Sequence, residues 1–165
     1  MREAHKMNMT TSATMMYGHI ETIEERMQHL VFIRELQYEK PQNTEGFSAF
    51  IPWPFCSKGT VLEKLEGKKF QIKRNEYIRM IAISRIMLPN IPHIQASWLT
   101  VGLPTAQICL HGGADDLGSI MIEENVVSKA GACYSVHKNE LHDAILEAGF
   151  TPQRRKQNYE LEKES

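Results

Sequence analysis

The chain has 165 residues, a length that suits one domain. Hydrophobic residues make up 42% and charged residues 24%, the balance of a globular protein, and no apolar run approaches the roughly 18 residues that cross a membrane. The net charge of −1 excludes a strong attraction to nucleic acid or an anionic membrane surface, and three scattered cysteines favour a reducing cytoplasm over a disulfide framework.

Strand-like and helix-like segments alternate along the chain after a short helical end at residues 1–8. The predicted strands are residues 10–17, 47–51, 93–100 and 117–123. The predicted helices are residues 20–40, 76–88, a short segment between Gly102 and Gly112, residues 126–130 and residues 139–148. Strand then helix, repeated along the chain, predicts a parallel α/β fold. Composition alone equally suits a small open sheet.

The apolar spacing of three helices predicts which side of each faces inward. The inward residues are Ile23, Met27, Leu30, Val31 and Leu36 on the first helix, Ile78, Ile81, Ala82 and Ile86 on the second, and Leu141, Ala144 and Ile145 on the last. The charges of the first helix, Arg26 among them, are predicted on a solvated face. Residues 56–74 are predicted as a long loop over the end of the sheet, and the tail beyond Tyr159 as mobile.

The turn after the first strand concentrates side chains that can do chemistry. Gly18 breaks the strand, and Tyr17, His19 and Glu21 surround it. Thr22 and Glu25 follow at the spacing of a capping box, which predicts a helix start. Ligands of parallel α/β folds bind at such turns. The alternative is an ordinary loop with solvated polar residues.

Alternate strand positions are polar on one face. The polar positions are Ser12, Thr14, Gln95, Ser97, Ser119 and Glu123, and the opposite positions include Ile94, Ala96, Ile120 and Ile122. A polar inner face predicts a cavity for a polar ligand, whereas the alternative is the solvent side of a two-layer sheet. Trp53, Pro54 and Phe55 follow the second strand and offer aromatic surface for stacking on a flat ring.

The histidines carry no metal-binding pattern. His5, His29, His137 and His142 are predicted at helix surfaces or ends, and His93 and His111 in local hydrogen bonds. No His-Glu-x-x-His or Cys-x-x-Cys pattern occurs, so no metal ligand is predicted within the chain.

Four stretches together resemble one enzyme family. They are TTSATMMYGHIETIEER at 10–26, FSAFIPWPF at 47–55, AISRIMLPNIPHIQASW at 82–98 and ADDLGSIMIEENVVSKAGA at 114–132. In this order they resemble radical S-adenosylmethionine (SAM) enzymes of the menaquinone and deazaflavin pathways. Within that family, IPWPF and GSIMIEENVV resemble the enzymes that cyclise dehypoxanthine futalosine more than the aminofutalosine synthases.

The resemblance implies a particular α/β fold. The first matching strand is similar to the fifth strand of the family's barrel, and a complete (β/α)8 barrel needs about 250 residues. Residues 1–132 are therefore expected to form the second half of a radical SAM barrel, with about four βα units. Residues 133–165 are expected to form a C-terminal helical extension with a charged tail. A missing N-terminal half-barrel is the expected partner.

The family uses SAM and a [4Fe–4S] cluster held by a Cys-x-x-x-Cys-x-x-Cys motif. Cys56, Cys109 and Cys133 lie far apart and cannot form that motif. The resemblance therefore implies that a full-length parent uses SAM and the cluster, that the cluster ligands lie outside this chain, and that the chain alone is inactive.

The resemblance also implies roles for the turn. Gly18 and Glu21 match the second half of a Gly-x-Ile-x-Gly-x-x-Glu pattern that lies close to SAM in the family, although Thr14 and Met16 replace its first Gly and its Ile. Tyr17, Gly18 and Glu21 are the expected residues on the SAM side.

The reaction that the family relatives perform defines the remaining candidates. A SAM-derived radical removes a sugar hydrogen, and the carbon radical adds to the substrate's aromatic ring. Rearomatisation then requires the loss of one electron and one proton, and Glu123 and His19 are candidates by position for the base that takes the proton. The alternatives are a fragment of an aminofutalosine synthase or deazaflavin-precursor synthase, or a non-catalytic remnant.

Overall fold

The structure, a computed structural model, describes residues 1–120 and 136–162. Its sheet has three parallel strands in the order β1 (Thr11–Tyr17), β2 (Phe47–Pro54) and β3 (His93–Ile94). An isolated parallel bridge between Gln95 and Asp116 brings a further segment beside β3. The predicted parallel α/β fold is confirmed, and a small partial sheet of this kind is consistent with part of a barrel.

The helices supply the crossovers that parallel strands require. They are α1 (Arg2–Lys6), α2 (Ile23–Tyr38), α3 (Val61–Glu66), α4 (Arg74–Met87), α5 (Trp98–Val101), α6 (Leu103–His111) and α7 (Lys138–Glu147). The start of α2 is fixed by Thr22, whose hydroxyl accepts from the Glu25 amide while the Glu25 carboxylate accepts from the Thr22 amide. The predicted capping box is confirmed.

The two faces of the sheet differ sharply. Ala13, Met15 and Tyr17 of β1 are buried against the helix layer, and their neighbours Ser12, Thr14 and Met16 are exposed. Register carries this division across the sheet, since Thr14 pairs with Ile51 and Met16 with Trp53. We call the side formed by Ser12, Thr14, Met16, Ile51, Trp53 and Gln95 the open face.

The division of faces confirms the predicted alternation at Ser12 and Thr14 and at Ile94 and Ala96. Ile94 and Ala96 are fully buried, and Ile94 stands beside Phe50 in the helix layer. The hydrophobic core therefore lies between the sheet and its helices, and the open face has no helix layer of its own in the part of the chain that the structure describes.

The helices bury narrower stripes than their sequences predict. On α4 the buried residues are Tyr77, Met80, Ile81 and Ser84, whose spacing places them on one side. Ile86 lies roughly opposite that stripe and is 77% exposed, so its predicted inward position is wrong. Ile23, the first residue of α2, is 69% exposed, so its predicted inward position is also wrong.

His5 is the one histidine whose predicted surface position is wrong. Its ring is 1% exposed, its Nε2 lies 3.0 Å from the Thr11 hydroxyl, and its plane meets the Phe47 ring edge-on at 4.7 Å. Helix α1 packs across the start of β1 and β2, which carries His5 inward. His29, His137 and His142 are exposed as predicted.

Element boundaries depart from the predicted ones around β2 and β3. The prolines of β2 lie within the strand, where Pro52 pairs with Met15 and Pro54 with Tyr17. The third strand ends early because the chain turns at Ser97 into α5, which buries Trp98. Residues 56–74 are also not wholly irregular, since Thr60 caps the short helix α3.

Part of the predicted C-terminal architecture lies outside the described residues. Residues 117–120 form no regular strand, and residues 121–123, the predicted helix at 126–130 and the boundary at 132 are not described. Helix α7 is confirmed, with Ala144 buried and Leu141 and Ile145 packed on the core. None of the described helices is long and apolar enough to cross a lipid bilayer.

The tail folds back on the sheet through Arg155 and Tyr159. Arg155 and the Tyr159 hydroxyl both bond to the Asp116 carboxylate, at 2.5 and 2.9 Å. The Glu162 amide donates to the Arg154 carbonyl at 2.8 Å. Residues 160–162 thus bond back to residues 154–156, and mobility beyond Tyr159 stays a prediction.

Candidate functional site

The carboxyl ends of β1 and β2 lie side by side and form the centre of the candidate site. Met16 pairs with Trp53 on the open face, and both side chains are about half exposed. The Phe55 amide donates to the Tyr17 carbonyl at 2.7 Å and so continues the pairing one step past the strands. The result is an apolar platform at the end of the sheet where parallel α/β folds bind ligands.

The loop that follows β1 is wound around the Glu21 carboxylate. The amides of Gly18 and His19 donate to its two oxygens at 2.5 and 2.9 Å. Gly18 has a φ of +94°, a conformation that favours glycine, and a Cβ there would collide with the Ile72 side chain. Glycine is therefore required at position 18 both by the backbone conformation and by the close approach of Ile72.

Glu21 belongs to a partly buried ion network. Arg26 Nε donates to Glu21 at 2.7 Å, and Arg26 Nη1 donates to Glu76 of α4 at 2.6 Å. The side chains of Arg26 and Glu21 are only 11% and 13% exposed. Burial by itself would raise the pKa of Glu21, but the bonds from Gly18, His19 and Arg26 outweigh burial and lower it. Glu21 is therefore held as a carboxylate whose bonding capacity is largely used within the fold.

Arg26 was not found by the sequence prediction, which placed it on a solvated face. Its guanidinium lies over the Tyr17 ring, 4.9 Å from the ring centre, as well as between Glu21 and Glu76. Hydrogen bonds to the two carboxylates raise the pKa of Arg26 in spite of the opposing effect of burial. The Arg26–Glu76 pair joins residues that are far apart in sequence, and no local pattern identifies it.

Tyr17 lies beneath the loop on the helix side of the sheet. Its side chain is fully buried, and its hydroxyl has no hydrogen-bond partner within residues 1–120 and 136–162. Burial raises the pKa of Tyr17 well above the usual range. Of the three expected SAM-side residues, Gly18 and Glu21 lie together in the loop, and Tyr17 supports them from below.

His19 lies beside Glu21 at the edge of the platform. Its Nδ1 accepts from the Ile20 amide at 2.8 Å and lies 2.9 Å from Glu21 Oε2, and its ring meets Phe55 edge-on at 5.5 Å. Phe55 in turn contacts Phe70 at 6.0 Å. The segment after β2 thus covers the loop through Phe70 and Ile72, which agrees with the predicted position over the end of the sheet. Glu123 lies outside the described residues.

The cysteines do not form a metal centre in the described part of the chain. Cys56 is exposed after β2, and Cys109 is buried in α6, where burial raises the pKa of its thiol to about 12. No group of three or more His, Cys, Asp or Glu side chains within those residues could hold a metal ion. The donor set that a [4Fe–4S] cluster needs is therefore not supplied by the described residues.

A groove of about 250 Å³ runs along the outer edge of β1. Its lining includes Thr14, Met16, His19, Arg26 and His29. Because β1 is the first strand in the sheet order, its outer edge has no neighbouring strand among the described residues. The groove connects this edge with the His19 end of the platform.

Comparisons with known proteins identify related sequences. A family profile described as the CofH/MqnC C-terminal region matches residues 44–165. The cyclic dehypoxanthine futalosine synthase of Streptomyces coelicolor is 46% identical over 160 residues, 97% of this chain. A 5-amino-6-(D-ribitylamino)uracil–L-tyrosine 4-hydroxyphenyl transferase of Archaeoglobus fulgidus and the aminodeoxyfutalosine synthase of Thermus thermophilus are each 40% identical, over 97% and 92% of this chain.

The chain spans only part of each relative. It covers 38% of the Streptomyces protein, 46% of the Archaeoglobus protein and 40% of the Thermus protein. The resemblance inferred from the four sequence stretches is confirmed by these matches. The names of the relatives differ, so the matches support a common group and leave its individual member open.

Proposed function

Since this chain belongs to the family of CofH/MqnC C-terminal regions, we propose that it forms the second half of a radical SAM barrel that cyclises dehypoxanthine futalosine in menaquinone biosynthesis. The observation that carries the proposal is the 46% identity to the cyclic dehypoxanthine futalosine synthase of Streptomyces coelicolor. The aminodeoxyfutalosine synthase and the tyrosine transferase define the second candidate function.

The open face is proposed to form one wall of a cavity, and other parts of a longer protein to form the remaining walls. Its polar side chains, Ser12, Thr14 and Gln95, lie next to the apolar platform of Met16 and Trp53. A substrate that joins a sugar to an aromatic ring presents hydroxyl groups to the first set and a flat surface to the second.

The loop from Gly18 to Glu21 is the proposed SAM side. Gly18 leaves the end of β1 without a side chain, and Tyr17 supports the loop from the helix layer. Glu21 acts here by fixing the loop amides and Arg26, because its carboxylate already accepts bonds from all three. Bound SAM supplies the radical chemistry of the family.

His19 is the proposed base of the described residues. The Ile20 amide donates to Nδ1, so Nδ1 is the unprotonated nitrogen of the neutral ring. It lies 2.9 Å from Glu21, whose carboxylate accepts a bond from Nδ1 once that nitrogen has taken up a proton. Glu123 remains the second candidate from the sequence alone. A His19→Gln change in an active protein distinguishes the two: loss of turnover with unchanged SAM binding supports His19, and the same result for Glu123→Gln supports Glu123.

A preceding half-barrel is the proposed partner at the outer edge of β1. Within residues 1–120 and 136–162 that edge has no neighbouring strand, so it and the groove beside it give a further parallel strand a place to bind. The chain also spans only about two fifths of these relatives. The same preceding segment is the proposed source of the cluster ligands, since no group of three or more metal-binding side chains lies together among the described residues.

In the test, residues 1–165 replace the matching segment of the Streptomyces coelicolor relative, so that they follow the preceding part of that protein. We call the product the fused enzyme. After anaerobic cluster reconstitution, dehypoxanthine futalosine is supplied and products are identified by mass spectrometry. The intact relative is the positive control and its preceding part alone is the negative control. A second fusion, to the Archaeoglobus fulgidus relative, shows whether specificity comes from the donor segment.

The cyclised product from both fusions supports the proposal. Conversion of 5-amino-6-(D-ribitylamino)uracil with L-tyrosine, or formation of aminodeoxyfutalosine, would move the chain to the second candidate function. Fusions that bind SAM and assemble a cluster but convert no substrate would identify the chain as a non-catalytic remnant.

A further inference from the structure

We propose that Gln95 is a substrate-orienting residue, whose side-chain amide holds a hydroxyl group of a ligand with a sugar and an aromatic ring. The inference rests on the proposed function and adds a residue to its site. Gln95 lies in the middle of the open face, beyond the end of β3, between the Trp53 platform and the folded tail. Its position, its packing and its spare hydrogen-bonding capacity each support the role.

The backbone of Gln95 pairs with a neighbouring segment on each side. Its amide donates to the Phe50 carbonyl of β2 at 3.0 Å, and the residue forms a parallel bridge with Asp116 on the other side. The flanking residues Ile94 and Ala96 are fully buried in the helix layer. Since successive side chains of an extended segment point to opposite faces, Gln95 is directed onto the open face.

The side chain of Gln95 has a defined place on that face. A Cβ added at Gly118 would lie 2.6 Å from Gln95 Nε2 and 3.0 Å from Cδ, so the amide group occupies the space that any side chain at position 118 would take. Gly118 is itself fixed, because its amide donates to Asp116 Oδ1 at 2.8 Å. The Gln95 amide therefore lies in space that is available because residue 118 has no side chain.

The hydrogen-bonding capacity of that amide is not used by the described residues. A glutamine amide has two N–H donors and a carbonyl acceptor, and within residues 1–120 and 136–162 it makes no side-chain hydrogen bond. Because a hydroxyl group both donates and accepts, a glutamine amide can meet it with either of its atoms. A group with a fixed position and spare donors suits orientation of a sugar.

The neighbouring layers of the open face match the rest of such a ligand. Thr14 pairs with Ile51, and continuing the register of β2 and β3 places Gln95 beside Ile51 in the same layer. The next layer towards the carboxyl ends contains Met16 and Trp53. A sugar held at Gln95 therefore places a linked aromatic ring against the Trp53 platform.

The test measures binding of dehypoxanthine futalosine to the fused enzyme by calorimetry without a reductant, so that no turnover occurs. Gln95→Leu keeps the approximate volume and removes the hydrogen bonds. It is expected to weaken the Kd about tenfold, the effect of one lost hydrogen-bonded group. A Kd within twofold of the unchanged protein would overturn the proposal. Failure of the unchanged fused enzyme to bind or convert the substrate would instead contradict the proposed function.

Two glycine variants distinguish displacement of the Gln95 amide from the backbone strain that alanine causes at a positive φ. Gly118 and Gly149 have nearly the same φ, +81° and +82°, but nothing lies within 4 Å of a Cβ at Gly149. Gly118→Ala displaces the Gln95 amide and is expected to weaken binding as much as Gln95→Leu, with no further loss in the double variant. Gly149→Ala is expected to leave the Kd unchanged. Equal changes of the Kd in Gly118→Ala and Gly149→Ala would contradict the proposed position of the Gln95 amide.

A second measurement uses the 165-residue chain itself. The side-chain amide resonances of Gln95 are assigned by their loss in Gln95→Leu, and dehypoxanthine futalosine is added at millimolar concentration. A saturable shift of these resonances together with that of the Trp53 indole N–H supports the proposal. A shift of the Trp53 resonance alone would overturn it.

Discussion

The Tyr159 ring stacks on the His93 ring, with the ring centroids 4.1 Å apart and the planes inclined by 7°. The Tyr159 hydroxyl donates to Asp116, and the Arg155 guanidinium covers the other side of the contact, 4.0 Å from the Tyr159 ring centre. His93 begins β3 and Asp116 forms the bridge beside it, so the tail joins two neighbouring segments of the sheet. This contact makes the charged C-terminal tail part of the fold.

Removal of the Tyr159 hydroxyl is expected to weaken the fold measurably. Tyr159→Phe keeps the stacking and deletes the bond to the Asp116 carboxylate, which should lower the free energy of unfolding by about 1–2 kcal/mol. Urea unfolding of both proteins measures the difference. Glu160→Gln is the control, because it alters only exposed contacts with Lys156 and Asn158 and should change stability by less than about 0.5 kcal/mol. An equal effect of both changes would show that the tail contact adds no stability.

Gly18→Ala should be among the most damaging single substitutions in the chain. Alanine at a φ of +94° is strained, and its Cβ collides with Ile72, so a loss of about 2–4 kcal/mol is expected from strain and overpacking together. Gly59→Ala is the matched control, since its φ is +78° and nothing lies within 4 Å of the added Cβ. It should cost about 1–2 kcal/mol in the same unfolding experiment. Partial recovery in Gly18→Ala/Ile72→Ala would confirm the collision.

The buried His5 should make stability depend on pH. Burial lowers the pKa of His5 below its usual 6.5, so the unfolded chain binds a proton that the folded chain resists. Stability is then complete above about pH 6.5 and falls as the pH drops towards the folded pKa, by at most about 1.4 kcal/mol per pH unit. His5→Gln should flatten this part of the unfolding profile, whereas the exposed His29→Gln should not. Identical slopes in all three proteins would contradict the prediction.

Short-range sequence patterns correctly predicted the start of a helix and the two faces of a strand where neighbouring residues determine them. The Thr22–Glu25 spacing placed the start of α2, and the alternation of Ser12 and Thr14 with buried neighbours placed the faces of β1. The same reasoning failed for residues 93–100, because an alternating apolar pattern also describes a short strand followed by the helix that buries Trp98. Periodicity alone does not distinguish those two outcomes.

The candidate site was predictable only in its local part. Tyr17, Gly18, His19 and Glu21 are consecutive or nearly so, and the turn identified them. Arg26 and Glu76 are 50 positions apart, and the Asp116–Tyr159 pair is 43 positions apart. Such contacts follow from the packing of α2, α4 and the tail on the sheet, and a single sequence contains no pattern that pairs them.

The Glu21 carboxylate should stabilise the loop mainly through its charge. Glu21→Gln keeps the size of the side chain but weakens the bonds from Gly18, His19 and Arg26, and leaves Arg26 with only Glu76 as an ionised partner. A loss of about 2–3 kcal/mol in the free energy of unfolding is expected near pH 7. Glu35→Gln is the control, because the Glu35 side chain is exposed in the last turn of α2.

The pH dependence distinguishes a charge effect from lost packing. The folded pKa of Glu21 lies below its usual 4.5, so the carboxylate contributes its full stability above that pH and loses it as the pH falls through the folded pKa. The stability gap between the unchanged protein and Glu21→Gln should therefore be constant from pH 7 to about pH 5 and narrow below about pH 4.5. Urea unfolding across this range measures the gap. A gap that stays constant into strong acid would assign the role of Glu21 to packing and not to its charge.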